Sequence, residues 1–146
     1  MDEKWDLRFL QLAKQISEWS KDPSTKAGAV LSRGKRIVSV GFNGFPEGMD
    51  DSPELYNNRE EKYNRIIHCE MNACANAAKE GASTEGCTLY TWPFFSCSRC
   101  AVHMIQFGIK RFVSPPCPPH LLERWGEDLK RAESYVIEVG KEVIIV

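Results

Sequence analysis

The first 67 residues contain neither a cysteine nor a histidine. Any thiol or imidazole chemistry therefore has to be assembled from residue 68 onward. No apolar run approaches the ~20 residues needed to cross a bilayer, so no membrane span is expected. Nor is there a long basic run: 19 Lys and Arg face 20 Asp and Glu, for a formal net charge of −1. Bulk-charge binding to polymeric nucleic acid or to an anionic membrane is thus not expected. The opening stretch MDEKWDLRFLQLAKQ is charged and interrupted, unlike an export signal. Six cysteines without such a signal point to reduced thiols in the cytoplasm, where paired cysteines more often bind metal or do chemistry. Internal repeats and low-complexity tracts are also lacking. What is present is 146 residues with 42% hydrophobic content, which suits one domain spanning 1–146.

Apolar residues at Leu7, Leu10, Leu12, Ile16 and Trp19 recur at helical spacing, predicting an amphipathic helix over 4–20 that Asp22-Pro23-Ser24 ends. AGAVLS (27–32) and RIVSVG (36–41) are β-rich and flank Arg33-Gly34-Lys35, a hairpin pattern. A Gly/Pro/Asp-rich loop runs from Phe42 to Pro53. The charged stretch 54–65 is expected to be a solvated helical turn or an irregular excursion. Helices are predicted at 68–81, 97–108 and 120–133, and strands at 87–92, 109–114 and 142–146. Strands alternating with helices predict an α/β layered fold with helices on both faces of one sheet.

Two motifs stand at helix starts. In FFSCSRCA (94–101), Cys97 and Cys100 lie three apart, so both side chains project from one face of a first turn. The positive end of the helix favours thiolates there. His68 opens the alanine-rich helix, and Glu70 follows two residues on. One histidine and two cysteines give zinc three protein ligands and an open fourth position, the mark of a catalytic site. Glu70 is then placed to move protons without binding the metal.

Each motif alone is weak, since a C-x-x-C also serves redox chemistry or a closed structural zinc site. A redox role would leave His68 and Glu70 unexplained, and a closed site would need a fourth protein ligand. Cys69, Cys74, Cys87, Cys117 and His103 are nominal candidates. Cys69 should point away from the metal, and Cys74 and Cys87 read as small buried side chains. His103 reads as a core or surface histidine, and Cys117 has no clear role. H-x-E followed by C-x-x-C, each at a helix start, is the zinc deaminase signature.

GFNGFPEGMDD (41–51), HCEMNA (68–73) and SCSRCA (96–101) together resemble the deoxycytidylate (dCMP) deaminases over about residues 22–114. The resemblance implies a three-layer α/β/α cytidine-deaminase-like fold with a five-stranded mixed sheet. It also implies hydrolytic deamination of dCMP to dUMP for thymidylate synthesis, with zinc held by His68, Cys97 and Cys100 and protons moved by Glu70. Asn43 would hold the nucleotide sugar. Phe42, Gly44, Phe45, Pro46, Gly48 and Asp50 would form a regulatory site for dCTP as activator and dTTP as inhibitor, with Mg2+. Assembly as a hexamer is implied too. For the substrate phosphate, Lys26 and Ser114 are the candidates; Arg99 points outward in most C-x-x-C turns, but helix-start geometry leaves its direction open.

The chain departs from the family pattern at several positions. Phe42 replaces a tyrosine, and Cys69 an alanine. Ser96 replaces the proline before the first zinc cysteine and is expected to cap the helix carrying Cys97 and Cys100. The segment after Ser114 is atypical. Relatives with a second, structural zinc carry extra Cys or His before the H-x-E motif, so one zinc per chain is expected here. Alternative readings are a zinc deaminase acting on cytidine, deoxycytidine, a free base or tRNA adenosine, and a non-catalytic nucleotide sensor.

Overall fold

A computed structural model describes residues 2–146. Helix α1 (Glu3–Ser17) starts where the Asp2 carboxylate accepts from the Lys4 N–H. Its buried residues Phe9, Leu10, Ala13 and Ile16 recur every one to three positions and form one face. The helix stops three residues short of the predicted end. Strands β1 (Gly28–Arg33) and β2 (Arg36–Phe42) pair antiparallel as the predicted hairpin. Gly34 takes a left-handed φ of 61° in the connecting turn, which a side chain would resist.

The charged stretch 54–65 folds as two short helices, α2 (Pro53–Asn57) and α3 (Arg59–Arg65). It is not wholly solvated, because Lys62 is only 7% exposed. Its ammonium lies 3.1 Å from Asp22 Oδ1 and 3.3 Å from Ser24 Oγ, tying α3 to the loop after α1. Next come α4 (Cys69–Lys79), β3 (Thr88–Trp92), α5 (Ser98–Gln106), β4 (Arg111–Ser114), α6 (Leu122–Glu138) and β5 (Glu142–Ile145). A 3-10 turn, Pro119–Leu121, leads into α6. That helix runs past the predicted end at 133 because Ala132 and Val136 continue its buried stripe.

The sheet order is β2-β1-β3-β4-β5. β1 is antiparallel to both neighbours, while β3, β4 and β5 run parallel. This is the five-stranded mixed sheet that the resemblance implies. Period-two alternation sorts the core. Val30, Tyr90 and Val113 meet Phe9, Leu10 and Ala13 of α1 on one face. Ala29, Leu31, Leu89 and Phe112 meet α4, α5 and α6 on the other, through Ala73, Cys74, Ala101, Met104, Leu129 and Val136. Helices therefore cover both faces.

Two features fix α4 and α1 against the sheet. A Cβ on Gly41 would lie 2.6 Å from Cys69 O and closer still to Ala73 N, so α4 rests directly on β2 backbone. On the other side, Asp6 accepts from Tyr90 Oη at 2.7 Å and from Arg111 Nη2 at 3.1 Å, all three being buried. This triad joins α1 to β3 and β4.

Candidate active site

The starts of α4 and α5 line one cleft with Ala27, just before β1, and with Thr91 and Trp92 at the end of β3. His68 is the N-cap of α4 and Cys97 the N-cap of α5, each in extended backbone. Ser96 does not cap α5, contrary to the sequence expectation; the cap is Cys97 Sγ, which accepts from Cys100 N at 3.5 Å. Chain direction explains this: Ser96 precedes the cap and turns toward α4, where its hydroxyl donates to Glu70 Oε2 at 2.8 Å. Farther along the turn, Ser98 is anchored to α6, its N–H donating to Asp128 Oδ2 and its hydroxyl to Oδ1.

His68, Cys97 and Cys100 form a three-residue cluster whose ligand atoms all lie within 4.8 Å of one another. His68 Nδ1 is 3.2 Å from Cys100 Sγ and 3.6 Å from Cys97 Sγ. Nitrogen and sulfur bound tetrahedrally to one zinc, at ~2.0 and ~2.3 Å, would be about 3.5 Å apart. The donor set and its spacing thus fit that ion. Among the described residues this is the one group of three or more His, Cys, Asp or Glu so arranged.

The three side chains share protons strongly. The Cys97 thiol is pulled down to about 4, first by the hydrogen bond from Cys100 and then by the one with His68. Cys100 is pushed up, chiefly because it holds the proton of that bond. The His68 imidazole is raised to about 9 by its hydrogen bond to Cys97.

Glu70 sits in the first turn of α4, 4% exposed, beside the cluster. Besides Ser96 it has Cys69, whose Sγ lies 3.7 Å from Oε1. Burial and the neighbouring Glu70 charge push the Cys69 thiol well up. A cleft opens in front of this group, lined by His68, Glu70, Cys97, Asn43, Phe94 and Trp125 among others. Including its mouth it encloses about 740 Å³, the scale of a small-molecule site. Phe94 and Trp125 meet at a ring separation of 5.7 Å, giving the cleft an aromatic wall. The Trp125 indole N–H is buried without a partner.

Asn43 lines the cleft and is held on three sides. Its amide nitrogen donates to Thr25 O at 2.9 Å and to Asp22 Oδ2 at 3.3 Å, while Oδ1 accepts from Ala27 N at 2.9 Å. Both N–H bonds are spent, which leaves one lone pair of Oδ1 for a ligand hydroxyl.

Lys26 and Ser114 are not brought to the cleft. Lys26 is exposed at the entry to β1, and Ser114 is fully buried at the end of β4. Arg99 is exposed. The loop residues Phe42, Gly44, Phe45, Pro46, Gly48 and Asp50 stay outside the cleft too. Phe45 stacks on Tyr56 with ring centroids 4.0 Å apart, and Phe42 packs edge-on against Trp19. Gly48 and Asp50 are exposed. Sequence reasoning missed Asp22, Lys62, Phe94, Arg124 and Trp125; the Lys62-Tyr63 and Arg124-Trp125 pairs, each a cation beside an aromatic ring, were the available signal.

Residues 3–114 match the family described as the cytidine and deoxycytidylate deaminase zinc-binding region. The chain belongs to this family. It is 41% identical over 143 residues to a deaminase encoded in the luxG 3′ region of Aliivibrio fischeri, covering 98% of this chain and 94% of that one. Mouse deoxycytidylate deaminase is 34% identical over 116 residues, 75% of this chain and 64% of the mouse protein. Among solved structures, dCMP deaminase from the cyanophage S-TIM5, in complex with dCMP and dUMP, superposes with a TM-score of 0.77. That likeness covers 100% of this chain and 99% of the phage chain at 20% identity, and it shows a shared fold. The family match ends at Ser114, so α6, which supplies Arg124 and Trp125, lies outside it.

Proposed function

We propose that this protein is a dCMP deaminase: it hydrolyses dCMP to dUMP and ammonia, supplying dUMP for thymidylate synthesis. The observation that carries the reading is the buried Glu70 carboxylate beside a His/Cys/Cys cluster at the floor of a ligand-sized cleft. His68, Cys97 and Cys100 hold one zinc per chain. When bound, zinc supplies the Lewis acidity that makes water a nucleophile at neutral pH.

Glu70 does the proton work. Its carboxylate takes a proton from the attacking water and gives it to the ring nitrogen N3 as oxygen adds to C4. The remaining hydroxyl proton then passes through Glu70 to the exocyclic amine. The C4–N bond breaks, ammonia leaves and C4 becomes a carbonyl. The hydroxyl of Ser96 holds Oε2, so one carboxylate rotamer faces the cleft. Asn43 Oδ1 accepts a sugar hydroxyl, and the aromatic wall of Phe94 and Trp125 confines the base.

Assembly as a hexamer, a cytoplasmic setting, and activation by dCTP with inhibition by dTTP, each with Mg2+, complete the proposal. Support for the regulatory part is the resemblance of the 41–51 loop. Initial rates that stay unchanged with both effectors would remove it. The proposal as a whole is tested by chromatography of the zinc-loaded protein with dCMP. Stoichiometric dUMP and ammonia are expected; dCMP recovered intact would overturn it and favour a nucleotide sensor.

A further inference from the structure

A second cleft adjoins the first and shares Ser24, Lys62, Tyr63 and Arg124 with it. Its own wall adds Arg59 and Asn57. Two guanidinium groups meet there on one neutral oxygen: Tyr63 Oη accepts from Arg59 Nε at 3.2 Å and from Arg124 Nη2 at 2.7 Å. Among the described residues neither arginine has a carboxylate within ion-pair distance. Each guanidinium carries five N–H donors, and the phenol uses one from each. Two like charges drawn together without a counter-charge repel each other, and an anion between them removes that cost.

The floor of the cleft is supplied by Lys62 and Ser24. Lys62 donates to Asp22 and to Ser24 Oγ, which leaves one ammonium proton unassigned. Asp22 balances the Lys62 charge and is itself held by Asn43 and by the Ser24 and Thr25 N–H groups. The uncompensated charge is that of the two arginines. A phosphate monoester, at about −1.5 to −2 near neutral pH, matches it in size and in acceptor number.

We propose that Arg59, Arg124, Lys62 and Ser24 seat the 5′-phosphate of the nucleotide whose base reaches Glu70. This rests on the dCMP reading and adds to it the residues that select a phosphorylated substrate. Arg124 comes from α6, beyond the family-matched residues, so the segment that looked atypical in sequence supplies part of the specificity.

The test compares kcat/KM for dCMP and for deoxycytidine in zinc-loaded wild type, Arg59→Gln, Arg124→Gln and the double variant. Both arginines are exposed and neither holds the core, so the variants should fold, as circular dichroism would verify. Lys130→Gln, an exposed cation on the same helix, serves as control. Each arginine variant should lose roughly 10- to 100-fold more kcat/KM with dCMP than with deoxycytidine, through a raised KM. The double variant should lose more, and the control should match wild type. If wild type prefers dCMP and the arginine variants keep that preference, the phosphate site lies elsewhere and this proposal falls while the dCMP reading stands. If wild type itself prefers deoxycytidine, the dCMP reading falls and takes the phosphate seat with it.

Discussion

The hydroxyl of Ser96 donates to Oε2 of Glu70 across 2.8 Å, joining the residue before the α5 cap to the first turn of α4. Both side chains are buried, so the bond is shielded from water. Ser96→Ala leaves a buried carboxylate oxygen without its donor, a loss of about 2 kcal/mol. A fall in kcat on the order of tenfold or more is expected, with unchanged zinc content and partial rescue by Ser96→Thr. Equal kcat in wild type and Ser96→Ala would show that the bond does not position Glu70.

Glu70→Gln keeps the shape of the side chain and removes its basicity. The expected outcome is full zinc occupancy by elemental analysis with kcat reduced at least ~100-fold. A variant retaining more than a tenth of wild-type kcat would mean that another group carries the protons.

The cluster itself has a pH signature in chelated protein. An ordinary thiol alkylates about tenfold faster per pH unit below its pKa, because only the thiolate attacks. Cys97, lowered to about 4, is thiolate throughout pH 6–8, so its alkylation followed by peptide mapping should be nearly flat there. The depressed pKa stabilises the metal-free fold, in full above the usual thiol range and progressively less as pH falls through about 4. Cys69 and Cys74, raised by burial, should react slowly at every pH in this window. Adding zinc should protect Cys97, and a rate climbing through pH 8 would contradict the shared-proton picture.

Much of this site was legible because its chemistry is local. H-x-E and C-x-x-C each fall within one helical turn, and periodicity placed those turns after a loop and a strand. What could not be read depends on packing between distant segments. Lys62 lies in a stretch that looks solvated, yet its ion pair with Asp22, forty residues earlier, buries it. The residue before a helix is often its cap, yet the partner of Ser96 belongs to α4. Position along the chain makes Lys26 and Ser114 candidates for the phosphate, and the fold turns one to solvent and seals the other in the core.

Fold integrity depends on the Asp6–Tyr90–Arg111 triad. Asp6→Asn leaves Arg111 buried with its main counter-charge gone, a cost of about 3 kcal/mol. Urea denaturation should show a lower midpoint with little change in slope. A midpoint equal to wild type would mean that the triad adds nothing net.

Competition between substrates shows most directly which one Glu70 serves. An equimolar mixture of dCMP, deoxycytidine, cytidine, cytosine and guanine, incubated with the zinc-loaded protein, puts the candidates in direct competition. dCMP should be consumed first, giving dUMP and ammonia in equal amounts, and a chelator should stop the reaction. Faster consumption of any unphosphorylated compound in the mixture would contradict it.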